Sequence, residues 1–60
     1  MYYEVRIDHK VVGVFNGKEK DVFVRENKNK CHLLTITRFN NQHQSVGCED
    51  YLDGKLICKL

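Results

Sequence analysis

Turn-forming residues punctuate this chain at nearly even spacing, and that spacing limits its fold more than any other feature. Asp8-His9-Lys10, Asn16-Gly17, Asn27-Lys28-Asn29-Lys30, Asn40-Asn41-Gln42 and Asp53-Gly54 recur about every 8 to 12 residues, the rhythm of short antiparallel strands. Asp53-Gly54 is the sharpest of these signals. Both central residues of a type I′ turn need φ > 0, which Asp tolerates and Gly prefers. The pair lies between Glu49-Asp50-Tyr51-Leu52 and Lys55-Leu56-Ile57-Cys58, so a hairpin is expected there. Asn16-Gly17 carries the same signal after Val11-Val12-Gly13-Val14-Phe15.

The segments between turns alternate as strands do. Tyr3, Val5 and Ile7 fall on one side of the first, and Glu4, Arg6 and Asp8 on the other. In the third, Val22 and Val24 oppose Asp21, Phe23 and Arg25. The last would place Leu56, Cys58 and Leu60 on one face and Lys55, Ile57 and Lys59 on the other. Gly13 and Gly47 interrupt strand patterns, which points to bulges or bends. Composition agrees with strands. Val, Ile, Thr, Tyr and Phe supply 18 of the 60 residues, and there is no alanine, proline or tryptophan. Residues 31 to 39 read in two ways. As a strand they centre on Thr35-Ile36-Thr37. As a helix capped by Asn27 they would align Cys31, Leu34, Thr35 and Phe39 on one face, although β-branched residues disfavour it. The fold expected is mainly β: a single domain over 1-60, with a small antiparallel five- to six-strand sheet or barrel built from hairpins. The alternative is α+β, an antiparallel sheet with one helix near residues 27-42.

Size then constrains function. Surface scaling gives a folded area of about 4,000 Å², with roughly 60% of the extended chain's surface hidden. So short a chain has little core to spare for a deep catalytic pocket. The formal net charge of +2 comes from 10 basic and 8 acidic side chains, too balanced to imply strong nonspecific nucleic-acid binding. No apolar run approaches the roughly 20 residues of a membrane span. Met1-Tyr2-Tyr3-Glu4-Val5 lacks a secretory pattern, and Cys31, Cys48 and Cys58 are an odd number, so free thiols and a cytoplasmic location are expected.

No arrangement of residues points to catalysis or to a cofactor. His9, Cys31, His32, His43, Cys48 and Cys58 could ligate metal, but none shows the paired spacing of structural zinc sites, so no metal is expected. Ser45 is the only serine and lacks a nucleophile-elbow context, and no glycine-rich phosphate loop exists. Two surface features remain. Glu49, Asp50 and Asp53 cluster around Tyr51, a combination that could enter a basic groove on a partner, with Tyr51 as the anchor. Alternatively, Phe23 among Arg25, Lys28, Lys30 and Arg38 could stack on the bases of RNA or single-stranded DNA while the cations follow phosphates. Glu19, Asp21 and Glu26 oppose that field. The strands Tyr2 to Ile7 and Lys55 to Leu60 are expected at the sheet's edges, open to pairing with a partner or another copy.

Tyr51-Leu52-Asp53-Gly54-Lys55-Leu56-Ile57-Cys58, and more loosely Thr35-Ile36-Thr37-Arg38-Phe39, resemble the Dmd antitoxins of T-even phages. The resemblance implies an α+β fold with a helix over residues 31 to 39, and a phage protein that binds and blocks a host ribonuclease toxin. The expected function is thus a small non-enzymatic protein-binding module, a phage-type inhibitor or antitoxin acting on a host protein such as a toxin or defence factor. A small β-barrel binding RNA or single-stranded DNA is the alternative.

Overall fold

Two strands open the chain, β1 (Tyr2–Ile7) and β2 (Lys10–Phe15), joined by a turn whose residues Asp8 and His9 both have positive φ, 49° and 74°. In the computed structural model, which describes residues 1–60, a helix follows, α1 (Gly17–Asn27). Three more strands complete the chain: β3 (Leu33–Phe39), β4 (Ser45–Leu52) and β5 (Lys55–Lys59). All strand neighbours are antiparallel, in the order β2-β1-β3-β4-β5. The sheet stays open and does not close into a barrel. The expectation of a mainly β chain holds, with five strands in one sheet and a single helix.

Strand alternation builds the core. Val5 pairs with Ile36 and Ile7 with Leu34, so their side chains share one face of the sheet. Val24 of α1 meets that face, and these contacts leave Val5 and Leu34 at 0% exposure. Only Val5, Val24, Leu34 and Ile36 are buried. Tyr3, Ile7, Phe15, Phe23, Cys31 and Tyr51 pack around them, half-buried. The total accessible surface, 4236 Å², is close to the area that chain length alone dictates.

Register slips by one residue at three places, leaving Val12, Val46 and Ile57 as the extra residues of bulges. All three are exposed. Two of the bulges adjoin Gly13 and Gly47, as the interrupted strand patterns imply. The Asp53-Gly54 turn forms where expected, with φ of 51° and 85°.

The helix is where sequence and structure part. Residues 17 to 27 are helical, not a strand, and residues 33 to 39 are a strand, not the helix of the α+β alternative or of the antitoxin resemblance. Asn16-Gly17 does not form a hairpin turn. Asn16 is the N-cap, in extended backbone, and its Oδ1 accepts the Glu19 N–H at 2.9 Å. Glu19 Oε1 in turn accepts the Asn16 N–H at 3.2 Å, which completes a capping box. Two of the helix's otherwise unpaired N-terminal donors are thereby satisfied. Helical periodicity brings Lys20, Phe23 and Val24 to the sheet side, over Tyr3, Phe15 and the core, and this outweighs the β propensity of Val22-Phe23-Val24.

The edges also differ from expectation. β1 is internal, between β2 and β3, so the free edges are β2 and β5. The Ile57 bulge breaks the alternation expected along the last strand. Leu56 pairs with Tyr51 on the helix side, whereas Cys58 pairs with Asp50 on the open side.

Candidate protein-binding interface

Gly13 and Phe15 of β2 point to the helix side of the sheet, opposite Val5 and Tyr3. Gly13 leaves room there. A Cβ at this position would come within 2.8 Å of the Phe15 ring, so the missing side chain is what lets that ring fold over the strand. Phe15 then stacks on Phe23 of α1, with ring centroids 5.0 Å apart and planes 27° apart. Beside this pair runs an open groove of about 430 Å³ lined by Phe15, Lys18, Glu19, Val22, Phe23 and Glu26, with Asn27 at one end. Asn27 is fixed by donating from Nδ2 to the Phe23 carbonyl at 2.8 Å. Val22 on the groove is 44% exposed. Val11, Val12 and Val14 of the adjoining free edge are exposed as well. Val11 and Val14 pair with Arg6 and Glu4 on the opposite, open face, so of β2 only Phe15 lines the groove, which lies beside an unpaired strand edge.

The residues expected to form an acidic site do not share a surface. Alternation along β4 sends Glu49 and Tyr51 to the helix side and Asp50 to the open side, where it pairs with Thr35. Tyr51 donates its hydroxyl to Glu49 Oε2 at 3.2 Å. Partial burial, followed by the nearby Glu49 carboxylate, pushes the Tyr51 phenol above its ordinary value. Lys28 Nζ lies 6.0 Å from the centroid of the same ring. Asp53 stands apart in the hairpin turn, its Oδ1 2.9 Å from His32 Nδ1.

The residues of the nucleic-acid alternative are scattered too. Phe23 is held against Phe15 rather than presented from a strand. Arg25 is exposed on α1, Lys28 forms the helix C-cap and Lys30 lies in the following turn. Arg38 is across the sheet on β3, where its Nη2 donates to the Val46 carbonyl at 3.3 Å while its buried Nε has no partner. A Cβ at Gly47 would come within 2.8 Å of Arg38 Nη2, so this second glycine likewise admits a large side chain.

The thiols of Cys31, Cys48 and Cys58 are free, and no three His, Cys, Asp or Glu side chains converge. Burial raises the Cys31 thiol's pKa, with the Asp8 charge adding to it, which disfavours the reactive thiolate. On the open face, Tyr2 stacks on Phe39 at 5.0 Å, and its hydroxyl is 3.0 Å from His43 Nδ1. Neither this corner nor the β2–α1 groove stands out from sequence spacing, because each joins residues from distant segments. No helix is long and apolar enough to cross a membrane. Comparison with known proteins found no matching family model, no matching curated protein and no matching solved structure.

Proposed function

We propose that this chain is a small protein-binding module of the inhibitor type, without a catalytic role of its own, and that it binds its partner through the β2–α1 end of the sheet. The observation that carries this reading is the apolar groove over Phe15, Val22 and Phe23 beside the unpaired β2 edge. An exposed apolar groove and a free strand edge are each common features of protein docking sites. The class proposed is a cytoplasmic inhibitor of a host ribonuclease toxin or defence factor; the resemblance to the Dmd antitoxins of T-even phages bears on the β4–β5 hairpin alone, since the helix it implies over residues 31 to 39 is a strand. The Glu49, Asp50, Tyr51 and Asp53 side chains are too dispersed to be the main anchor.

Capture from a nuclease-treated bacterial lysate tests the reading. A stoichiometric protein retained by the wild-type chain and lost on Val22→Glu is expected, since Val22 lies on the groove and contributes nothing to the buried core. Retention of nucleic acid in place of protein, or equal capture by the variant, contradicts it.

A further inference from the structure

The groove's shape and charge point to the chemistry of its occupant, and the inference rests on the protein-binding reading above. Glu19 and Glu26 line the groove seven residues apart on α1, which places them on one face of the helix about 10.5 Å apart along its axis. Glu19 commits Oε1 to the helix cap and keeps its other oxygen free. Lys18 is the one cation on the rim. Val22 and Phe23 lie between the two carboxylates along the helix, Phe15 stacks on Phe23, and Phe15 belongs to β2, whose outer edge is unpaired.

An extended segment added to β2 would turn alternate side chains toward this groove. Residues four apart in such a strand are about 13 Å apart, within reach of both glutamates for side chains as long as lysine or arginine. The residue midway between them would then lie over the Phe15–Phe23 pair.

A second copy of this chain fits poorly. Pairing two β2 edges would bring together two copies of the same groove, each with Glu19 and Glu26 against the single rim cation Lys18. Like charges so placed repel. The other free edge, β5, carries Lys55, Ile57 and Lys59, but the Ile57 bulge separates the two lysines. Lys55 pairs with Leu52 on the open side, and Lys59 with Glu49 on the helix side. Neither free edge of the chain presents the alternation that the groove requires.

We infer that the β2–α1 groove captures an extended segment of a different protein, in which two cationic residues four positions apart flank a large apolar one. That segment pairs with β2 as a sixth strand, its apolar side chain against Phe15 and Phe23 and its cations at Glu19 and Glu26.

Titration of the isotope-labelled protein, followed by NMR, tests this with three synthetic peptides. The first has the pattern lysine-threonine-leucine-threonine-lysine with capped ends, the second replaces both lysines with glutamate, and the third is the lysine peptide with N-methylated backbone. The lysine peptide is expected to shift amides of β2 and α1, and to bind about tenfold more tightly than the glutamate peptide. The N-methylated peptide is expected to lose the β2 shifts, and Glu26→Lys to reverse the charge preference. Equal binding of the lysine and glutamate peptides, or shifts confined to β5 or the open face, overturns the inference. If that happens while Val22→Glu still abolishes lysate capture, the binding reading stands and only the occupant's chemistry is wrong. Concentration-dependent self-association that a β5 substitution abolishes would overturn the foreign occupant.

Discussion

Val5 on β1 and Tyr51 on β4 face the same side of one sheet, but their surroundings differ. Val5 is sealed beneath α1 at 0% exposure, whereas Tyr51 is half-buried, beside the Lys28 side chain and hydrogen-bonded to Glu49. The helix backbone lies against β1 and β2 and does not extend over β4 or β5. The same strand pattern is thus stabilised in two ways. At the β1–β2–β3 end, apolar burial does it. At the β4–β5 end, turn geometry, bulges and amphipathic side chains do it, and Leu56 and Ile57 remain in water. The difference is the basis for placing the proposed partner site at the β2–α1 end. The helix lies against β1 and β2 and supplies one wall of the groove, but leaves the outer edge of β2 unpaired.

Truncations at the two ends should separate these mechanisms most widely. Leu34→Ala removes a fully buried side chain and should cost about 3 kcal/mol, enough to unfold most of so small a domain. Leu56→Ala, at 49% exposure, should cost under about 0.5 kcal/mol. Denaturant midpoints measure both, and similar losses would mean that the β4–β5 end is also held by its apolar contacts.

Gly54→Ala addresses the turn at the thinner end. Gly54 has φ 85°, and a Cβ there would collide with Asn29 Oδ1, so the substitution must distort the turn and displace the Asn29 side chain. A loss of about 2 kcal/mol is expected, well above that of Leu56→Ala. A loss no greater than that of Leu56→Ala would remove the turn as what holds this hairpin. Asn16→Ala deletes the helix cap and should cost about 1 kcal/mol, seen as a lower thermal midpoint and reduced helical circular dichroism. Unchanged helicity would show that packing alone sustains α1.

Much of the first end was legible in sequence. The Tyr3-Val5-Ile7 alternation faces the core and Gly13 adjoins a bulge there, as Gly47 does on β4 at the other end. The helix was hidden because Asn16-Gly17-Lys18-Glu19 carries two signals at once. Asn-Gly reads as a hairpin turn, while Asn with Glu three residues on is a capping box. Val22-Phe23-Val24 then tips a local reading toward a strand. Tertiary contacts decide otherwise: Val24 fills the core, and Phe23 meets a ring that the absent side chain of Gly13 lets into place. The acidic cluster misled for a related reason. Residues adjacent in a strand point to opposite faces, so Asp50 cannot join Glu49 and Tyr51.

The smallest effect concerns pH. Tyr51 binds its proton more tightly folded than unfolded, because burial and then Glu49 oppose the phenolate. Lys20 also holds its proton more tightly, chiefly through its hydrogen bond to Asp21 at 2.6 Å. For a raised pKa, the stabilisation is complete below the group's ordinary value and is lost as pH rises through the folded value. Stability should therefore fall above about pH 10, where free tyrosine and lysine titrate. Tyr51→Phe should fall less steeply over that window in thermal melts. An identical slope would show that Tyr51 ionisation is not coupled to folding.

Amide hydrogen exchange, with and without the captured partner protein, tests the assignment of function to one end of the sheet most directly. In the free protein, β1 and β3 amides are expected to exchange most slowly, and the outer-edge amides of β2 and β5 fastest. Partner binding should slow exchange along β2 and leave β5 unchanged. Protection gained at β5, with none at β2, would contradict the account.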